Sequence, residues 1–336
     1  MLTKNKNICI LGAGNWGTTL AVILAEQGHR VRLWEYLPQA AEEIQRTRQN
    51  SQFLPGITIP QGVDVSSDLG RSLQGADICF LALPSSVLRK VCEQAYPLLS
   101  SDTVIVSAIK GLEDKTRLRM SQVIEQTLKE KAGRLVVLSG PNIASEIARH
   151  LPATTVAASN DLSSAEEVQS ALMSRYLRVY TGSDVAGAEL GGSLKNVIAI
   201  AAGIIDGMEL GANTKGALLT RGLAEITRLG TALGADPATF AGLTGMGDLI
   251  TTCSSPHSRN HIVGSRIGQG QKLDDILKEM VMVAEGVNTA KAAYELSKEH
   301  KIEMPITEQM YLVLFQDKSP RLAVEALMTR DPKSEK

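Results

Sequence analysis

Gly12-Ala13-Gly14-Asn15-Trp16-Gly17 decides how this chain is read, because of what stands on either side of it. The apolar run Asn7–Leu11 precedes it as a strand would. A helical pattern through Leu20, Ile23 and Leu24 follows and stops at Gly28, a suitable C-terminal cap. In a G-x-G-x-x-G turn the first glycine permits the tight turn and the second lets backbone approach a pyrophosphate. The third lets the helix pack on the strand, and the diphosphate rests on the helix N-terminus. Gly12, Gly14, Asn15, Trp16 and Gly17 are therefore the expected dinucleotide contacts. The next β-rich run, Val31–Glu35, ends in an acid about 20 residues past the loop, where a carboxylate binds ribose hydroxyls. Glu35 would repel a 2′-phosphate, so by itself it favours NAD over NADP.

Outward from this unit, further strand-like runs are Asp77–Leu83, Thr103–Ala108, Leu135–Ser139, Thr154–Ala158 and Leu177–Tyr180. Several are continuously apolar, as in Ile78-Cys79-Phe80-Leu81-Ala82-Leu83, which is expected of parallel strands covered on both faces. Crossover helices fit between them, so a doubly wound parallel α/β sheet of Rossmann type follows. After about Ser183 the texture becomes helical. Leu219, Leu223, Ile226, Leu229 and Leu233 recur at helical spacing as one buried stripe, and Gly187–Gly207 suits a helix packed on all sides. The boundary near Asp184–Gly187 gives residues 1–186 as a dinucleotide-binding domain and 187–336 as an all-helical domain. The polar tail Thr329–Lys336 is expected to fray.

A formal net charge of −1 gives no reason to expect a nucleic-acid partner or an anionic membrane surface, and 4% aromatic residues leave little for base stacking. An anionic substrate must be met by local cations instead. Cys9, Cys79, Cys92 and Cys253 form no CxxC pair and read as reduced, structural thiols. No apolar run approaches the ~20 residues that span a bilayer, and Met1–Lys6 does not read as a signal peptide. A cytoplasmic protein without membrane insertion is expected. His257 and His261 have i, i+4 spacing, but no glutamate or third ligand accompanies them, so no metal site is read there.

Longer blocks carry a more specific signal. They are Trp16-Gly17-Thr18-Thr19-Leu20-Ala21, Ser107-Ala108-Ile109-Lys110-Gly111-Leu112-Glu113 and Ser139-Gly140-Pro141-Asn142-Ile143-Ala144-Ser145-Glu146. Glu189-Leu190-Gly191-Gly192-Ser193-Leu194-Lys195-Asn196-Val197 and Gly242-Leu243-Thr244-Gly245-Met246-Gly247-Asp248-Leu249 follow, then Ser258-Arg259-Asn260 and Glu285-Gly286. In this order, over nearly the whole chain, they closely resemble the bacterial NAD(P)-dependent glycerol-3-phosphate dehydrogenase family. The chain departs from that family's pattern at Asn15, where serine or alanine is usual, and at Thr19, where alanine is usual. Glu35-Tyr36 stands where a histidine or basic residue is common. The resemblance thus implies NAD or NADP, while Glu35 points to NAD.

Oxidising a phosphorylated alcohol needs a hydride acceptor, a base for the alcohol proton and cations for the phosphate. Lys195 is the candidate base, in a Gly-Gly-Ser-Leu-Lys-Asn-Val setting with little bulk around it. A lysine serves so only where burial and neighbouring cations lower its pKa. The resemblance implies Lys110 as that neighbour, touching both substrate and nicotinamide. Asp248 and Asn196 read as orienting groups, although Asp248 also suits a helix cap after a glycine turn. Ser258-Arg259-Asn260 reads as a phosphate site, since arginine offers a planar fork of donors and Pro256 favours a helix start there. By resemblance, Gly140, Asn142 and Ala144 line the substrate and nicotinamide crevice, Val283, Glu285, Tyr36 and also Arg259 join the cofactor contacts, and the molecule is a homodimer of the fold seen in 6-phosphogluconate dehydrogenase. It also implies a supply of sn-glycerol 3-phosphate for phospholipid synthesis. A β-hydroxyacid dehydrogenase shares the glycine loop and lysine base, but the Lys110 and Ser-Arg-Asn blocks tilt away from it. A non-catalytic NAD(P) sensor would have no need of Lys195.

Overall fold

The computed structural model describes residues 5–280, 283–332, 334 and 335. Met1–Lys4 and two residues of the expected frayed tail, Lys333 and Lys336, lie outside these. The chain divides into two compact units. One comprises the residues through Glu113 together with Leu118–Glu189; the other comprises Asp114–Arg117 and the chain from Leu190 onward.

Among the described residues, ten strands lie in the first unit: β1 (Asn7–Leu11), β2 (Arg30–Trp34), β3 (Gln49–Asn50), β4 (Leu54–Thr58), β5 (Val63–Ser66), β6 (Ile78–Leu81), β7 (Val104–Ser107), β8 (Leu135–Ser139), β9 (Ala153–Ala158) and β10 (Leu177–Gly182). Eight of them form one sheet in the order β10-β9-β8-β7-β6-β1-β2-β5, while β3 and β4 pair as a separate hairpin. Six strands from β5 to β8 run parallel, with β1 between β2 and β6. Numbered by sequence within the sheet, these six have the order 3-2-1-4-5-6, and the point where the order reverses is the edge of β1 from which the glycine loop leaves. Two features differ from the expected sheet. β5, a four-residue strand interrupted by Asp64, gives no continuous apolar run and is not legible in the sequence. β8 and β9 are antiparallel, so β9 and its parallel neighbour β10 run against the other six strands.

Helix α1 (Asn15–Glu26) buries Leu20, Ile23 and Leu24 completely against the sheet. Each such side chain is worth about 1.5–3 kcal/mol relative to exposure. Gly28 at φ +87° ends it in the left-handed turn that the sequence predicts. After β2 comes α2 (Pro38–Thr47).

Helix α3 (Val185–Gly207) carries the chain into the helical unit. Every residue from Gly187 to Ile205 is buried. By length and composition this helix could cross a membrane, contrary to the expectation that no segment qualifies; in the protein it is buried throughout its most apolar stretch. Glu189 and Lys195 interrupt its apolar character in the sequence. Helix α4 (Gly211–Ala232) buries only Ile226 and Leu229 of the expected stripe. Leu218, Gly222, Glu225, Ile226, Leu229 and Gly230 form its buried face, and Leu219, Leu223 and Leu233 are only half-buried. The stripe rotates because the Glu225 carboxylate is itself in the core, accepting from the amides of Ile306 (2.6 Å) and Thr307 (3.1 Å) at the start of a later helix.

Three helices complete the frame of the site: α5 (Asp248–Ser254), α6 (Arg259–Gly268) and α7 (Glu285–Glu299). α3 and α6 approach backbone to backbone. A Cβ on Gly203 would stand 2.1 Å from the His261 carbonyl, and one on Gly264 would stand 1.9 Å from that of Ile200. No residue other than glycine fits this crossing.

Candidate active site

In the sheet unit, the glycine loop is shaped by steric contacts that only glycine meets. Gly12 lies at φ +109°, and a Cβ there would be 2.5 Å from the Ala82 carbonyl; one on Gly17 would be 1.9 Å from the Gly12 carbonyl. Gly14 differs, because a Cβ on it would enter open space. That space adjoins the N-terminus of α1, whose N-cap Gly14 supplies no side chain and whose first turn has no acid. Asn15 Oδ1 accepts from the Trp16 amide at 2.8 Å. The positive end of a 12-residue helix thus faces a cradle that a side chain would fill, and a dinucleotide's diphosphate fits these residues.

Groups far away in sequence hold the loop. Asn50 Nδ2 donates to the Ala13 carbonyl at 2.7 Å and to Thr18 Oγ1 at 2.9 Å. Thr19 Oγ1 donates to the Asn15 carbonyl at 2.8 Å and reaches the Ala144 carbonyl at 3.2 Å, which explains why threonine is accommodated there. At the end of β2, Glu35 is half-buried with Oε1 accepting from the Leu37 amide at 3.0 Å, and Tyr36 is 67% exposed.

Lys110 follows β7, and its Nζ donates to the Gly140 carbonyl at 2.7 Å. Gly140 itself lies at φ +139°. The Asn142 side chain, expected to face substrate, is engaged at both ends by β9: Nδ2 donates to the Thr154 carbonyl (3.1 Å) and Oδ1 accepts from Thr155 Oγ1 (3.0 Å). Ala144 is buried and opens a one-turn helix.

In the helical unit the central feature is an ion pair. Lys195 Nζ on α3 donates to Asp248 Oδ1 on α5 at 2.8 Å, with the two side chains 7% and 2% exposed. Thr252, one turn along α5 from Asp248, also accepts from Lys195 Nζ. Asp248 is the first residue of α5, where Gly247 is the N-cap, and its Oδ1 accepts both from Lys195 Nζ and, at 3.3 Å, from Thr252 Oγ1. The turn before it, Leu243–Gly247, is a single π-helical turn, and its closeness to α3 requires Gly191, where a Cβ would meet the Thr244 carbonyl at 2.4 Å.

Arg259 opens α6 and is half-buried. Its guanidinium makes no hydrogen bond to any described residue. Burial holds it below the ordinary arginine range, and the nearby Glu285 carboxylate pulls it part of the way back. Ser258 caps α6, Oγ accepting from the His261 amide at 3.3 Å. Asn260 Oδ1 accepts from the Gly286 amide at 2.9 Å, which leaves its two amide hydrogens as donors. A Cβ on Gly286 would lie 2.7 Å from both the Asn196 carbonyl and Asn260 Oδ1, so the neighbours of Lys195 and Arg259 meet at the start of α7. Glu285 begins α7, and Val283 is 45% exposed. All four cysteines are buried and free; burial pushes the thiols of Cys92 and Cys253 up to about 12. His261 Nε2 is bonded to Asp206 at 2.7 Å, and among the described residues no His, Cys, Asp and Glu cluster could hold a metal.

The comparisons with known proteins agree with this geometry. Residues 7–165 match the family described as NAD-dependent glycerol-3-phosphate dehydrogenase N-terminus, and residues 184–325 match the corresponding C-terminus. The chain belongs to the NAD(P)-dependent glycerol-3-phosphate dehydrogenase family. A relative in this family from Geobacter metallireducens, named glycerol-3-phosphate dehydrogenase [NAD(P)+], is 52% identical over 98% of this chain and 99% of its own. One from Geobacillus thermodenitrificans, with the same name, is 50% identical over 98% and 96%. The crystal structure of a glycerol-3-phosphate dehydrogenase from Coxiella burnetii superposes with a TM-score of 0.93 at 36% identity, covering 97% of this chain and 99% of that one. The Saccharomyces cerevisiae enzyme gives 0.81 at 28% identity, covering 96% and 99%. Two residues of the site carry no sequence signal that picks them out. Asn50 sits in a polar stretch far from the loop it supports, and Thr252 is an ordinary helix residue whose i, i+4 relation to Asp248 becomes meaningful only once Lys195 is placed.

Proposed function

We propose that this chain interconverts dihydroxyacetone phosphate and sn-glycerol 3-phosphate, with NAD or NADP as hydride carrier. The observation that carries this reading is the combination, within one unit, of the buried Lys195–Asp248 pair and a half-buried Arg259 guanidinium whose donors are unspent. The first suits proton transfer at a carbonyl oxygen, and the second suits a phosphate.

When bound, the nicotinamide supplies or takes up the hydride at the substrate's C2. Gly12, Gly14, Asn15, Trp16 and Gly17 would hold the diphosphate bridge, and Glu35 and Tyr36 would meet the adenosine side. Lys195 Nζ gives a proton to the C2 oxygen in reduction and removes it in oxidation, while Asp248 and Thr252 fix the direction of Nζ. Asp248 also offsets the cost of burying a cation. Arg259 takes the phosphate, with donors added by Asn260 Nδ2 and Ser258 Oγ. Lys110, Gly140 and Asn142 belong to the substrate site, and Ala144, Val283 and Glu285 to the cofactor site, by resemblance. β9 holds the Asn142 side chain through Nδ2 and Oδ1, and its second Nδ2 hydrogen remains as a donor. The Glu35 carboxylate makes NAD the preferred cofactor. We extend the reading, also by resemblance, to a cytoplasmic homodimer that feeds phospholipid synthesis.

Initial rates with dihydroxyacetone phosphate, NADH and NADPH test the substrate and the cofactor together. Turnover with NADH above NADPH is expected. No turnover with either, but turnover of a 3-hydroxyacid, would replace this reading with that of a β-hydroxyacid dehydrogenase; binding of NADH without any turnover would replace it with that of a sensor.

A further inference from the structure

We propose that Asn50 is a positioning residue for dinucleotide binding, setting the direction of the Gly14 amide in the glycine loop. This rests on the cofactor reading above. Asn50 is 3% exposed and lies on β3, in the β3–β4 excursion between α2 and β5. Its Nδ2 spends both hydrogens on the loop and the first turn of α1: one on the Ala13 carbonyl (2.7 Å), the other on Thr18 Oγ1 (2.9 Å).

The consequence follows from peptide geometry. Ala13 C=O and Gly14 N–H belong to one planar unit, and the described chain contains no cis peptide. In a trans unit the carbonyl and the amide point in opposite directions. Drawing the Ala13 carbonyl toward Asn50 therefore turns the Gly14 amide away from it. Gly14 is the loop glycine whose Cβ direction is open space, so the plane that Asn50 fixes is the one next to the cradle. Without the Nδ2 donor, the Ala13–Gly14 peptide keeps only the longer bond from Thr18 Oγ1 to the Ala13 carbonyl (3.3 Å), and Gly14, having no Cβ, offers little steric resistance to its rotation.

The excursion that carries Asn50 is itself anchored. Arg48, buried and at φ +57°, donates to the carbonyls of Ile59, Pro60 and Val63 and to Gln45 Oε1. Asn50 Oδ1 meanwhile accepts from the Phe53 amide at 3.3 Å. Asn50 is thus presented from a stitched segment, which is what a positioning group requires.

The test is NADH affinity by calorimetry or fluorescence on the full chain, together with steady-state kinetics. Asn50→Asp keeps the size but replaces the donor with an acceptor, and Asn50→Ala removes it. Each is expected to raise the Kd and KM for NADH roughly tenfold, the worth of about one net hydrogen bond, while KM for dihydroxyacetone phosphate and kcat at saturating NADH stay within about twofold. Thr18→Val removes the second acceptor and the 3.3 Å bond from Thr18 Oγ1 to the Ala13 carbonyl but keeps the shorter one from Asn50; it is expected to lose less and serves as the readout if both Asn50 variants melt below assay temperature. AMP, which lacks the diphosphate bridge, should lose less affinity than ADP-ribose in these variants. Folded Asn50 variants that bind NADH like the native protein, or Thr18→Val without any loss where those do not fold, would overturn the inference and leave the cofactor reading intact. A native protein that binds neither NADH nor NADPH would overturn both.

Discussion

Replacing Asp248 with alanine removes the carboxylate from a pair whose side chains are 7% and 2% exposed, so water is poorly placed to compensate for it. Deleting one member of a buried pair costs about 3–5 kcal/mol, most of it the penalty of the ion left behind. Thr252 stays to accept from Lys195, but a hydroxyl does not balance a charge. With an unfolding entropy of about 2.1 cal/mol/K per residue, such a loss lowers Tm by about 4–7 °C if all 336 residues unfold together. If the helical unit melts alone, the same loss lowers it by about 10–16 °C. Adding Lys195→Met to Asp248→Ala removes the buried cation as well and should recover most of the stability, though not activity. The assay is a double-mutant cycle by urea and thermal unfolding of the unliganded protein. A loss below about 1 kcal/mol for Asp248→Ala, or no recovery in the double variant, would refute the argument that the pair is electrostatically buried.

Other outcomes follow from single sites. Gly17→Ala, whose Cβ would be 1.9 Å from the Gly12 carbonyl, should destabilise the unliganded protein; Gly14→Ala, with open space around it, should melt normally yet bind NADH poorly. Melting curves and titrations with NADH separate the two. Arg259→Ala should raise KM for dihydroxyacetone phosphate about 30–150-fold, from 2–3 kcal/mol of charge-assisted bonding, with little change in unfolding free energy because the side chain makes no hydrogen bond among the described residues. Glu225 is pushed up to about 7 by burial, against the opposing pull of the Ile306 and Thr307 amides. Its folded state holds the proton longer than its unfolded state, so this stability is complete below the ordinary value of 4.5 and is lost as pH rises through 7. Measured from pH 4.5 to 8, the native protein should lose about 3 kcal/mol relative to Glu225→Gln.

Local signals made much of this legible in advance. β1 and β8 have the bounds that their apolar runs suggest, because strands covered on both faces leave uninterrupted signatures. The glycine loop is legible for a similar reason: a steric requirement of Gly12 and Gly17 is written in the residues themselves. What escaped depends on partners distant in sequence. β5 is too short and too polar to announce itself, and the reversal at β9 is a matter of pairing rather than composition. Of the stripe on α4, Ile226 and Leu229 are buried as their spacing suggests, but the rest of the buried face is not legible, because a glutamate does not advertise that two amides of another helix will satisfy it. Within the site, Lys195, Asp248 and Arg259 stand in distinctive blocks, whereas Asn50 and Thr252 acquire meaning only through the atoms they touch. Asn142 stands in a distinctive block, but the bonds that tie its side chain to Thr154 and Thr155 are not legible there.

The central claim is that Lys195 moves the proton while other groups bind the cofactor. Lys195→Ala, assayed for NADH oxidation with dihydroxyacetone phosphate alongside an NADH titration, tests it most directly. In this variant kcat is expected to fall by about 10²–10⁴ with NADH affinity nearly unchanged. Turnover close to that of the native protein would contradict it.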